Sequence, residues 1–107
     1  MTLPPPIQAY FEADRLRDVE ALLAIFVANA VVKDEGRTHS GHPAIAAWMR
    51  AARNQYQHVV EPLDWAEADN VHRVRSRVAG DFPGSPVTLT FAFNLQGDRI
   101  SHLEIGA

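Results

Sequence analysis

Val31-Val32-Lys33-Asp34-Glu35-Gly36-Arg37-Thr38-His39-Ser40-Gly41-His42-Pro43-Ala44-Ile45 carries more structural information than any other stretch of this chain. A short β-branched strand closes on an acid, Gly36 supplies a turn, and a second glycine leads into a helix that Pro43 opens. Upstream lie Tyr10-Phe11 and an apolar helical stripe. This order puts Asp34 at the mouth of whatever pocket the helices and the later strands enclose. Apolar walls disfavour the charged form of a carboxylate, which makes it a better base toward a carbon-bound proton.

The helices come first. Pro4-Pro5-Pro6 is a rigid entry, since proline lacks a donor that a first helical turn leaves unpaired anyway. Ile7, Tyr10, Phe11 and Asp14 then recur at helical spacing. In the second helix Asp18 is the amino-terminal cap, and Val19, Leu22, Leu23 and Phe26 form an i, i+3, i+4, i+7 stripe. Asn29 is expected to end it, with a short strand starting at Val31-Val32. The third helix is predicted from Pro43 to about Tyr56, burying Ile45, Trp48, Met49 and Ala52 and turning Arg50 and Arg53 outward.

After that helix the period changes to two. Val87, Leu89, Phe91, Phe93 and Leu95 share one face, and Thr88, Thr90, Ala92 and Asn94 the other. Val74, Ser76 and Val78 alternate with Arg73, Arg75 and Arg77, which gives the antiparallel neighbour. Phe82-Pro83-Gly84-Ser85 between them suits a type II turn. Gln96-Gly97-Asp98 is a further tight turn before a last strand from about Ile100 to Ile105. An earlier strand, roughly His58 to Ala66, contains Pro62, which marks an edge or a bulge.

Composition narrows the possibilities. At 107 residues the chain has room for a single domain, 1–107, with one core. An apolar fraction of 47% fits a globular protein. No apolar run approaches the ~20 residues that span a bilayer, and the amino terminus lacks the regions of a signal peptide. With no cysteine, disulfides and thiolate metal sites are excluded, and a cytoplasmic location is expected. A net charge of −3 with Lys33 as the one lysine argues against nucleic acid as a partner.

Front helices followed by a meander predict an α+β protein: three N-terminal helices packed on a curved, mostly antiparallel sheet, forming a cone with an internal pocket. In this element order the chain resembles the nuclear-transport-factor-2-like superfamily, the fold of ketosteroid isomerases and of SnoaL-type polyketide cyclases. The residues that carry the resemblance are Asp18-Val19-Glu20-Ala21-Leu22-Leu23-Ala24-Ile25-Phe26, Asn29-Ala30-Val31-Val32-Lys33-Asp34 and Ser40-Gly41-His42-Pro43-Ala44-Ile45. Gln8-Ala9-Tyr10 is similar to the isomerase segment whose tyrosine donates to the enolate oxygen. Val32-Lys33-Asp34 is similar to the segment that holds the aspartate base. Ketosteroid isomerases add a protonated aspartic acid; here Leu89 or Thr90 falls at that position, and a leucine cannot donate.

Each candidate has two readings. Asp34 is a general base or a solvated strand-end aspartate. Tyr10 polarises a carbonyl or is an amphipathic core residue. His39 shuttles a proton beside Asp34 or is a loop histidine in water. His39 and His42 sit in a turn with two glycines, a poor frame for a zinc site, so no metal is expected. His58 and His72 read as strand-surface residues, and His102 faces either way. Trp48, Trp65, Phe91 and Phe93 are core or the ligand-binding wall. Arg73, Arg75 and Arg77 form an outer row facing Glu61, Glu67 or Glu104, or a dimer contact.

Two function classes follow. The first, which the resemblance implies, is a cofactor-independent isomerase- or cyclase-like enzyme acting on an apolar carbonyl compound. Asp34 removes the alpha proton, Tyr10 stabilises the oxyanion and His39 assists the proton's return. Epoxide hydrolysis fits less well, because it needs a second acid and an arginine around one water, and only Arg37 lies near Asp34. The second class is a non-catalytic small-molecule-binding or dimerisation module. The resemblance also implies a homodimer.

Overall fold

The computed structural model describes all of the chain except the side chains of residues 53–56. Helix α1 (Pro5–Leu16) opens on prolines and stops at Arg17, whose φ of 57° is left-handed and whose N–H reaches back to the Ala13 and Asp14 carbonyls. Such a residue satisfies carbonyls that a helix end leaves without partners. Helix α2 (Val19–Ile25) is capped by Asp18, which accepts from the Ala21 N–H at 3.0 Å. Strand β1 (Phe26–Asp34), strand β2 (Arg37–Ser40) and helix α3 (His42–Tyr56) follow. Four long strands complete the chain: β3 (Val59–Ala68), β4 (Val71–Ala79), β5 (Val87–Gln96) and β6 (Arg99–Gly106).

One boundary differs from expectation. Helix α2 ends at Ile25 instead of running to Asn29, and Phe26 is extended with ψ of 142°. Phe26 occupies the inward position that the helical stripe assigns it, yet reaches it as the first residue of β1, paired with Ile100. Pairing to β6 outweighs the helical preference of the four residues from Phe26 to Asn29, a tertiary override of a weak local signal. The register with β6 slips between Phe26 and Val31, so the strand bulges over Ala28 and Asn29, both exposed.

The six strands form one open curved sheet in the order β2-β1-β6-β5-β4-β3. Every pairing is antiparallel except β1 with β6. Three helices on this mostly antiparallel sheet give the expected α+β cone. Glu35-Gly36 and Asp69-Asn70 join their strands with both residues at positive φ, the geometry whose twist suits two-residue hairpins. At the β4–β5 connection Gly84 has φ of 84° and the Ser85 N–H bonds the Phe82 carbonyl, the expected type II turn. Pro62 lies on the edge strand and at a register shift, so both readings of that proline hold.

Alternation then sorts the side chains. Ala30 and Val32 are buried on the inner face of β1, and Asp34 continues that face. Val74, Phe91, Phe93 and Leu103 are buried across the neighbouring strands. Against them α1 sets Tyr10, whose ring lies 5.2 Å from Phe11 and 5.3 Å from Phe93, both edge-on. Ile45 and Met49 of α3 are buried and Arg50 is exposed, as expected; the direction of Arg53 lies outside the described side chains. His102 pairs with Val31 and Asn94, on the face opposite buried Leu103. Arg75 finds its carboxylate in Asp64 of β3, a partner absent from the expected set, because the bulge after Pro62 brings Asp64 opposite Arg75. Among the described residues no helix is long and apolar enough to cross a membrane.

Candidate functional site

Between the helices and the inner face of the sheet lies a cavity of about 840 Å³. Its polar lining begins with β1 and β2. Asp34 pairs with Arg37 and Val32 with His39, and paired residues project to the same side of a sheet. Since Val32 is fully buried, Asp34, Arg37 and His39 all project inward, and all three line the cavity.

Helix α3 passes over this corner. Trp48 donates its Nε1 hydrogen to Asp34 Oδ2 at 3.0 Å, and its ring lies 6.1 Å from that of His39. Burial raises the Asp34 pKa above the ordinary carboxylate value. The Trp48 hydrogen bond and the His39 charge work in the other direction, while the neighbouring Glu35 charge adds to the rise. Desolvation is the largest of these influences, so the carboxylate is held as a stronger base than a solvated one.

Tyr10 lines the same cavity and is 2% exposed. Tyr10, Asp34, His39, Trp48 and Phe91 therefore border one space. Phe93 is fully buried behind them in the core. Trp65 stands apart from the cavity lining: 36% exposed on β3, it stacks on His72 and donates to its Nδ1 at 3.3 Å.

The structure adds residues that the sequence reading passed over. His58 is no strand-surface residue; it precedes β3, lines the cavity and lies 3.5 Å from Asp14. The signal for Asp14 was present, an acid on the apolar stripe one turn after Tyr10. For His58 there was none, because its partner is far away in sequence. His42, at the start of α3, instead bonds the Phe26 carbonyl at 3.0 Å and so ties α3 to the point where β1 begins. Among the described residues no group of three or more His, Cys, Asp or Glu converges on a metal position.

The model of the SnoaL-like domain matches residues 7–103. The chain belongs to the SnoaL-like family. Among solved structures, a proposed polyketide cyclase from Sinorhizobium meliloti is 45% identical, with a TM-score of 0.94 over 96% of this chain and 94% of that one. A hypothetical protein of ketosteroid isomerase-like fold from Catenulispora acidiphila, crystallised with trimethylamine, has a TM-score of 0.85 at 18% identity, covering 99% and 87%. SalBIII, an epoxide hydrolase/cyclase-like enzyme of pyran ring formation in salinomycin, has a TM-score of 0.81 at 16% identity, covering 94% and 86%. At such identities the last two share the SnoaL-like fold alone. A search of curated proteins found no match.

Proposed function

We propose that this SnoaL-like protein is a small isomerase- or cyclase-like enzyme that removes a proton alpha to a carbonyl of an apolar molecule. The observation that carries the reading is Asp34, a carboxylate made more basic by burial and set in a largely apolar cavity with Tyr10 on its wall. In this scheme Asp34 takes the carbon-bound proton and the electron pair moves onto the carbonyl oxygen. Tyr10 stabilises that oxygen by donating a hydrogen bond. His39, on the Asp34 side of the cavity, assists the proton's return to a different carbon. Where the molecule carries a second carbonyl, the enolate carbon attacks it and closes a ring. The 45% identity to a proposed polyketide cyclase supports this direction. Trp48 and Phe91 serve as ligand wall, and the working assembly is a homodimer.

The test is hydrogen exchange. Apolar ketones and 1,3-diketones such as 2-tetralone are incubated with the protein in D2O, and loss of the alpha proton is followed by NMR. Wild type should exchange at least one of them about a hundredfold faster than Asp34→Asn, a usual worth for a positioned base. Equal rates across the whole panel would remove the enzyme reading.

A second reading, a non-catalytic binding module, is favoured by one observation. The resemblance puts Leu89 or Thr90 where the isomerases hold their protonated acid; of the two, Leu89 lines the cavity, and a leucine cannot donate. Ligand binding without any exchange in the same experiment would select it.

A further inference from the structure

Asp14 and Tyr10 are one helical turn apart on α1 and so share a face. The Asp14 side chain is 8% exposed and that of His58 15%, and the His58 Nε2 lies 3.5 Å from Asp14 Oδ1. Both residues line the same cavity as Asp34. Burying a carboxylate is costly unless polar groups face it. A carboxylate only accepts, so the hydrogen of a neutral His58 ring belongs on Nε2, and Nδ1 keeps its lone pair. Leu89, Phe91, Val78 and Val87 supply apolar cavity wall. The cavity thus has a second polar station besides the Asp34 corner.

We propose that Asp14 and His58 form a second polar subsite in the cavity, where His58 Nδ1 accepts a hydrogen bond from a hydroxyl or enol of an apolar ligand whose carbonyl end lies at Asp34. This deepens the function proposed above and rests on its reading of the cavity as a ligand site. Asp14 is the positioning residue, fixing the ring and its tautomer. The ligand class is narrowed to apolar molecules with two separated oxygen functions. A single ketone engages only one station.

Calorimetry with 2-naphthol and with 1,5-, 2,6- and 2,7-dihydroxynaphthalene tests the idea. In wild type at least one diol should bind about tenfold more tightly than 2-naphthol, as one added hydrogen bond allows. His58→Phe should erase that diol's advantage, so that the variant binds the diol and 2-naphthol alike. The His58 Nδ1 resonance of wild type should move when the diol binds; this measurement decides alone if the variant does not fold. A purely structural tie between α1 and β3 would show neither effect. Diols no better than 2-naphthol, or an advantage that survives His58→Phe, overturn the subsite and leave the Asp34 chemistry standing. Failure of every probe to bind overturns the ligand-site reading and the subsite together.

Discussion

The Trp48 indole donates to Asp34 Oδ2 across 3.0 Å, joining helix α3 to the end of strand β1. This contact opposes the main influence on the acid. Burial raises the Asp34 pKa, and a donor to the charged form restrains the rise. Trp48 thus tunes the base while walling the cavity. Trp48→Phe keeps an aromatic wall and deletes the donor, so the Asp34 pKa should rise further above the ordinary 3.8. NMR titration of the Asp34 carboxyl carbon in both proteins checks this. An unchanged or lower value in the variant would mean that the indole contributes only bulk.

Stability should carry the same signature. The folded state holds the Asp34 proton more tightly than the unfolded chain does. Its contribution is therefore most favourable in acid and declines as pH rises from the unfolded carboxylate value through the raised folded one. Asp34→Asn removes this slope, and an asparagine oxygen still accepts from Trp48. At neutral pH the variant should be as stable as wild type or more so. Urea midpoints measured from pH 4 to 8 compare the two. A loss of more than about 1 kcal/mol at neutral pH, the centre of ordinary point-mutant effects, would show that the carboxylate stabilises the fold.

Local pattern made most of the fold legible. The alternation from Val87 to Leu95, the Pro83-Gly84 turn and the Asp18 cap all belong to short-range chemistry, and each is found as read. The α2–β1 boundary was hidden because Phe26 satisfies both periods at once. Its strand state depends on Ile100, at the other end of the chain. The Asp34 corner was half legible: strand alternation points the acid inward, but nothing local reveals that Trp48 donates to it. The Asp14–His58 approach, like the Arg75–Asp64 pair, arises only from tertiary placement.

The outer face of the sheet should form a twofold homodimer. Arg75 is already engaged by Asp64, whereas Arg73 stands in register between Ala66 and Ala92, neither of them charged. A self-complementary twofold contact would bring an acid of the partner subunit to Arg73. Sedimentation at tens of micromolar (an order-of-magnitude choice from ordinary affinities) should show a dimer. Arg73→Glu should shift it toward monomer, and added salt should weaken it. A wild-type monomer at that concentration would remove the idea.

Phe93 and Phe91 should differ in what their rings are worth. Phe93 is fully buried, with the Tyr10 ring 5.3 Å and the Phe11 ring 5.9 Å away. Truncation to alanine there forfeits transfer energy and opens a void that the packed rings cannot fill, about 3–5 kcal/mol. That is a large share of the ~5–15 kcal/mol that holds a small domain together. Phe91 is nearly as buried but borders the cavity, so part of its surface already lacks a packing partner. Dispersion contacts absent in the wild type cannot be lost on mutation. Phe91→Ala should therefore cost less than Phe93→Ala, while enlarging the ligand space beside Tyr10. Urea unfolding of the two variants gives the comparison. Equal losses, or a larger loss at Phe91, would mean that the space beside Phe91 is filled in solution and that the cavity ends short of the β5 wall.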